Sequence, residues 1–374
     1  MAEVYEGAID RGLEGVVACS TGISSIMDAT LCYRGYTIED LAENATFEEI
    51  IYLLWNDQKP NADQMKEYKA KIKAHLFLEP ELMKVLKALP TNVHPMSWLR
   101  SAVSIMAHWD SLESEIDKNS QIEIGFKLVA KLPLLISFFE NLRQGTLDKM
   151  PAPIAEKGIA WNFLYTLNRK EPSTMATQVF DTCLVLHADH ELNCSAFATR
   201  VTASSLSDIY SSIVSGIGAL KGPLHGGANE QVMLMLKEIG TLDGARAWVK
   251  DALAKKELVM GFGHRVYKNG DPRAKILRQM SKELCKETGM SNYYEMSEII
   301  DNTVLNEKGL LPNVDFYSAT VYYSMGIPID LFTPIFAASR VSGWLAHIYE
   351  QYSNNRIYRP RGKWVGKTNL VWNK

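Results

Sequence analysis

The sequence predicts a mainly α fold in which a smaller helical domain is inserted into a larger one. Three observations predict it. Apolar residues recur at three- and four-residue spacing through most of the chain after residue 37. Alternating stretches of strand type are too scarce for an α/β sheet. Near residue 222 the composition changes: glycine loops at 222–227, 261–263 and 270 break up shorter helices, and the long apolar style returns only at 331–351. The expected large domain is therefore 1–222 together with 331–374, and the small domain is 223–330.

The elements follow in order. Residues 1–35 hold short strand-like pieces, at 15–18 and 31–33, between Gly and Ser turns. Thr37 followed by Asp40 resembles a capping box and opens a first helix. Helical periodicity then marks 47–55, 62–76, 80–89, 95–109 and 121–142, punctuated by Pro60, Pro90 and Pro95. Residues 144–156, with Gly145, Pro151 and Pro153, read as a long loop, and 161–168 and 173–189 are helical again. Another helix covers 228–239, with Val232, Leu234, Met235, Leu236 and Ile239 available for an apolar face. The last long helix is 331–351.

A chain of 374 residues, 47% hydrophobic and 22% charged, can bury the core of an ordinary globular enzyme. Its net charge of -3 offers no basic field for nucleic acid. No apolar run approaches the ~18 residues of a membrane span; 132–139 comes nearest. Glu3, Glu6, Asp10 and Glu14 argue against a secretory or mitochondrial leader. The five cysteines, Cys19, Cys32, Cys183, Cys194 and Cys285, are scattered without C-x-x-C spacing and read as reduced thiols of a cytoplasmic protein.

Residues 221–230 read K-G-P-L-H-G-G-A-N-E. Gly222, Pro223, Gly226 and Gly227 around His225 predict a tight turn at or just before a helix start. The partial positive charge there disfavours an imidazolium. A neutral ring can donate a hydrogen bond to a carbonyl turning into an enolate. A histidine that merely caps the helix is the plainer alternative.

His187-Ala188-Asp189-His190 ends an apolar helix, and His190, Asn193 and Phe197 share a face if that helix continues. The H-x-x-H spacing has no acidic or cysteine cluster to complete a metal site, so no metal is expected. Residues 259–273 read V-M-G-F-G-H-R-V-Y-K-N-G-D-P-R. Gly261 and Gly263 let backbone approach a ligand, His264 is presented by the loop, and Arg265 and Lys268 suit phosphate. Asp271 and Pro272 form a helix start that puts Arg273 in the first turn, where it can help hold a carboxylate. A solvated basic loop is the alternative. Neither this G-x-G nor Gly216-Ile217-Gly218 is a dinucleotide fingerprint.

In Pro312-Asn313-Val314-Asp315 the aspartate either caps the next helix or serves as a carboxylate base. Arg340 lies in line with Phe336, Ala337 and Trp344, so its guanidinium is expected to be buried and to need an internal carboxylate or an anionic ligand. Arg359-Pro360-Arg361 adds two further cations.

Taken together these segments resemble the citrate synthases. The likeness runs from Leu13-Glu14-Gly15-Val16 and Tyr33-Arg34-Gly35-Tyr36 through G-P-L-H-G-G-A-N-E, G-F-G-H-R-V-Y-K and P-N-V-D-F to Arg359-Pro360-Arg361. It is to the short bacterial and archaeal type. It implies a mainly α homodimer that condenses acetyl-CoA with oxaloacetate, with no metal or other cofactor. By that resemblance Asp315 removes a methyl proton, His225 stabilises the enolate, and His264 is the acid at the oxaloacetate carbonyl. His190 and Asn193 orient oxaloacetate. Arg273, Arg340 and Arg359 bind carboxylates, Arg359 from the partner subunit. Coenzyme A falls to Leu258, Gly261, Gly263, Arg265, Lys268, Lys308 and Asn313.

Two positions depart from the family's habit: Ala319 stands where Gly is common and Cys194 where Ala is common. A 2-methylcitrate synthase using propionyl-CoA is the alternative within the fold. A cleaving citryl-CoA lyase and an inactive helical scaffold are more distant ones.

Overall fold

The computed structural model describes residues 9–27, 30–263, 267 and 270–372. One small antiparallel sheet is made of β1 (Ser24–Met27), β2 (Thr30–Tyr33) and β3 (Tyr36–Thr37), in that order. Ser25 pairs with Cys32, and Cys32 in turn with Thr37. The strand expected at 15–18 does not form: Val16 and Val17 are exposed, and strand pairing falls to 24–27 instead.

The helices are α1 (Ile38–Asn44), α2 (Phe47–Asn56), α3 (Ala62–Ala74), α4 (Pro80–Lys87), α5 (Pro95–Met106), α6 (Lys118–Arg143), α7 (Ile159–Asn168) and α8 (Thr174–His187). They continue as α9 (Cys194–Ser204), α10 (Ile209–Leu220), α11 (Ala228–Ile239), α12 (Leu242–Lys255), α13 (Pro272–Glu287), α14 (Ser291–Lys308), α15 (Val314–Ser324) and α16 (Phe332–Ser353).

Local chemistry sets their ends. Thr37 caps α1 by accepting from the Asp40 amide, but Asp40 turns its carboxylate to Asn44, so the box is half made. Complete capping boxes start α2 (Thr46 with Glu49) and α3 (Asn61 with Gln64), worth about 1 kcal/mol per cap. Asp117 accepts from the amides of Asn119 and Ser120 and so starts α6 earlier than its apolar periodicity indicates. The loop at 144–156 contains a short 3-10 turn at Leu147–Lys149.

The core is organised on α16, whose Val341, Trp344, Leu345 and Ile348 are fully buried. It packs against α2, α6, α8, α9 and α10. Each such side chain contributes roughly 1.5–3 kcal/mol of apolar burial. Helices α11–α15 pack chiefly on one another, α13 against α15 and α12 against α14, and reach the rest through α1, α8 and α16. On α11 the buried face is Val232, Met233, Met235 and Leu236. Leu234 points outward, because Met233 takes the inner position. No described helix is long and apolar enough to cross a membrane.

Candidate active site

Asp315 stands in the first turn of α15 but does not cap it. Asn313 does, accepting from the Asp315 amide at 3.0 Å. The strap before α15 is stitched to the glycine loop: the Asn313 amide donates to Gly261 O at 2.8 Å, Asn313 Nδ2 to Gly263 O at 3.0 Å, and the Gly263 amide to Leu311 O at 3.3 Å. Gly261 has φ +82°, and a Cβ there would sit 2.9 Å from the Phe316 side chain. Only glycine lets the loop come this close. Relieved of capping, Asp315 keeps its Oδ1 buried and without a hydrogen-bond partner. Burial pushes its pKa up to about 7, only partly countered by Arg273 and Arg340, while Asp271 adds to the rise.

The two guanidinium groups lean on one helix end. Arg273 Nη1 reaches Leu186 O at 3.5 Å, and Arg340 Nε donates to His187 O at 2.7 Å, both carbonyls of the last turn of α8. The negative end of a helix suits cations there. Their other contacts differ. Arg273 forks onto Asp271, Nε to Oδ1 at 2.9 Å and Nη2 to Oδ2 at 2.8 Å. That same carboxylate caps α13 and accepts from the Val314 amide at 3.1 Å, so one side chain joins the starts of the helices bearing Arg273 and Asp315.

Arg340 is 1% exposed and lies 4.7 Å over the Phe336 ring. No carboxylate is within ion-pair distance of it among the described residues. Burial lowers its pKa to about 10, so it stays charged at neutral pH. Of the two partners the sequence allowed, the internal one is not made.

His225 lies in a turn three residues before α11. Its amide donates to Gly222 O, and Gly227 occupies the helix cap. Its pKa falls to about 4, through burial first and Arg340 second, so these rather than the helix start account for the neutral ring. Ser195 grips Nε2 with its Oγ at 2.9 Å and its amide at 3.3 Å. The amide can only donate to Nε2, whereas the hydroxyl, its proton given to Asn193 Oδ1, can only accept from it, so these contacts hold the ring without fixing which nitrogen carries the proton. Ser195 Oγ is itself held by Asn193 Oδ1 at 2.7 Å and by the Trp344 indole N–H at 3.1 Å.

The helix does not continue through His190. α8 stops at His187, Glu191 turns the chain at φ 51°, and α9 restarts at Cys194 with Asn193 as its cap. Asn193 accepts from the amides of Ser195 and Ala196 and so starts α9. His190 thus sits on a loop, not on a helix face shared with Phe197. Its Nε2 is 3.1 Å from Tyr267 Oη.

Some expected residues lie apart. Arg359 is exposed and lines a cleft of about 970 Å³ with Arg200, Glu350 and Tyr358. Leu258 and Lys308 line a hollow of about 220 Å³ beside Phe262. His264, Arg265 and Lys268 lie outside the described residues.

Ser195 and Tyr267 escaped the sequence reading, and His187 entered it only as the first member of the H-x-x-H pair. His187 donates from Nδ1 to Cys183 O at 2.7 Å, and its buried Nε2 has no partner. Burial drops its pKa to about 3. Ser195 had one usable signal, its place two residues after a capping Asn.

A carboxyl poised near neutrality, an imidazole kept neutral and an unpaired buried guanidinium, all in one field, define an enzyme that moves protons beside an anionic substrate. The family model described as "Citrate synthase, C-terminal domain" matches residues 12–361. Citrate synthase 2 of Bacillus subtilis is 54% identical over 95% of each chain. The crystal structure of citrate synthase from Pyrobaculum aerophilum has TM-score 0.90 at 40% identity, covering 98% of this chain and 94% of that one. A ternary complex of Thermoplasma acidophilum citrate synthase with carboxymethyl coenzyme A and oxaloacetate has TM-score 0.90 at 30% identity, covering 98% of both. Relatives named 2-methylcitrate synthase match at 39–40% identity. The chain belongs to the citrate synthase family and is an acyltransferase-type enzyme.

Proposed function

We propose that the chain condenses acetyl-CoA with oxaloacetate and hydrolyses citryl-CoA to citrate and coenzyme A. Asp315 takes a methyl proton from the thioester. His225 donates from Nδ1 to the thioester oxygen as negative charge gathers there. The enol carbon attacks the oxaloacetate carbonyl, whose oxygen is protonated by His264. His190 and Asn193 orient that carbonyl, and Arg273, Arg340 and Arg359 hold carboxylates. Water then cleaves the thioester, releasing coenzyme A. Leu258, Gly261, Gly263, Arg265, Lys268, Lys308 and Asn313 take the coenzyme. No metal or further cofactor takes part.

The single observation behind this reading is the Asp315 carboxyl. It has an unpartnered buried oxygen and a pKa raised to about 7, beside the unpaired Arg340. A thioester α-proton is too weakly acidic for a carboxylate in water, so a dry site with a more basic carboxylate answers the need. The Thermoplasma relative, solved with carboxymethyl coenzyme A and oxaloacetate together, supports the pair of substrates. Residues 223–330 act as a small domain closing on the rest, with oxaloacetate binding first. The working unit is a cytoplasmic homodimer in which Arg359 reaches the neighbour's site.

Ala319 bears on propionyl-CoA. It is fully buried one helical turn after Asp315, so its methyl faces the same side of α15 and narrows the acyl space. Free-thiol release with each thioester tests this: acetyl-CoA is expected to turn over faster, and a dominant propionyl rate would make the enzyme a 2-methylcitrate synthase. No oxaloacetate-dependent thiol release with either thioester would overturn the reaction itself.

A further inference from the structure

The loop that carries His190 is tied to the protein by a chain of buried polar groups that no step of the reaction uses. Asp189, immediately before His190, is fully buried, and so is His347 on α16, whose Nε2 lies 3.2 Å from Asp189 Oδ2. On its other side His347 Nδ1 faces Arg200 Nη1 at 3.3 Å. A guanidinium has no acceptor, so Nδ1 accepts and the ring proton belongs on Nε2, pointing at Asp189. Arg200 is anchored in turn by Glu350 Oε2 at 2.6 Å and by Gln351 Oε1 at 3.2 Å.

Asp189 does more than accept this proton. Its Oδ2 also accepts from Ser24 Oγ, and that hydroxyl accepts from the Glu191 amide at 2.7 Å. Glu191 is the residue at φ 51° that turns the loop out of α8. A positive φ at a non-glycine residue persists only where the surroundings enforce it. Tyr33 Oη completes the hold, accepting from the Asp189 amide at 3.1 Å and donating to Asp189 O at 2.9 Å.

The approach of α16 to this loop is also built in. A Cβ on Gly343 would meet Ala188 O at 2.4 Å and Asp189 Oδ1 at 2.5 Å. Burial opposes charge on Asp189. The His347 contact and the field of Arg340 outweigh it, and its carboxyl stays below the usual carboxylate range.

We infer that His347 and Asp189 are positioning residues for the oxaloacetate end of the reaction: through Ser24 they hold the bend at Glu191 that aims His190. The inference rests on the proposed oxaloacetate role of His190. The network leaves the glycine loop and the acyl-CoA hollow untouched, so its effect is selective for one substrate. It also assigns a chemistry to position 347, an acceptor on one side and a donor on the other. Glutamine can reproduce that and leucine cannot.

The test is steady-state kinetics of His347→Leu and His347→Gln beside the parent. His347→Leu should raise the oxaloacetate KM by about 10-fold or more, of the size expected when one buried charge-assisted hydrogen bond is lost. The acetyl-CoA KM at saturating oxaloacetate should stay within about 3-fold, and His347→Gln should return the oxaloacetate KM to within about 3-fold of the parent. A folded His347→Leu with a lower melting temperature but both KM values unchanged would overturn the inference, because the contact would then only stabilise.

Should His347→Leu fail to fold, Ser24→Ala removes a neutral hydroxyl from the far side of Asp189 and reads the same linkage. A selective rise in the oxaloacetate KM supports the inference, and an unchanged KM rejects it. Failure of the underlying reading looks different, since the parent enzyme would then form no citrate at all.

Discussion

Burial pushes Asp315 and His225 in opposite directions, and the proposed chemistry depends on both shifts. Asp315 rises to about 7 while His225 falls to about 4, so near neutral pH the first is partly ionised and the second carries no charge. For turnover that needs Asp315 ionised, kcat/KM for acetyl-CoA should fall as pH drops below about 7, and the rate profile should show that limb. Stability should run the other way. The folded state holds the Asp315 proton more tightly than the unfolded chain does, so this residue's contribution worsens as pH climbs from about 4 to 7 and stays unfavourable above. Asp315→Asn should therefore melt higher than the parent at pH 8, with the gap closing by pH 4, while turnover collapses. His225→Ala, which would remove the proposed hydrogen-bond donor to the developing oxyanion, should lower kcat by about 10²–10³-fold with the fold intact. Unchanged turnover in that variant would remove His225 from its role.

At the scale of elements, the site is the meeting of two helix starts, one helix end and a glycine loop. Asp271 ties the starts of α13 and α15, the α8 carbonyls take Arg273 and Arg340, and Gly261 lies against Phe316. Gly261→Ala should push the loop off α15, because its φ of +82° and the 2.9 Å approach leave no room for a methyl. The expected result is a raised acetyl-CoA KM with oxaloacetate affinity little changed, measured by steady-state kinetics.

Much of this level was legible in the residues. The G-P-L-H-G-G turn, the Asp271-Pro272 start and the apolar line around Arg340 each announce a local geometry through backbone limits or burial cost. The break after His187 was not legible. Ala188, Asp189 and His190 do not forbid a helix, and only tertiary bonds from Tyr33, Ser24 and His347 pull the chain out of one. Ser195 was missed for a similar reason, since its partner His225 is thirty residues away and meets it only through packing.

For the whole molecule, the role proposed for Arg359 bears on how many chains make a site. It lines a cleft with Arg200 and Tyr358 that includes neither Asp315 nor His225, and the proposed dimer has it serve a neighbour's site. Mixing and reassociating Arg359→Ala with His225→Ala tests this. Random hybrids hold one intact site in half of the dimers, so about a quarter of parental activity should return. If Arg359 served its own chain, the hybrids would regain nothing. Closure makes a second expectation at this scale. Calorimetry should find weak acetyl-CoA binding to the free enzyme and much tighter binding of an acyl-CoA analogue once oxaloacetate is present. Tight binding without oxaloacetate would contradict closure on the first substrate.

The proposed convergence of Asp315 and His225 on one thioester is tested most directly by a crystal structure of this enzyme with oxaloacetate and an unreactive acetyl-CoA analogue. The account predicts an Asp315 carboxylate oxygen about 3 Å from the acyl carbon and His225 Nδ1 within about 3 Å of the thioester oxygen, with Arg340 on an oxaloacetate carboxylate. An acyl group bound out of reach of Asp315, in a fully closed complex, would contradict it.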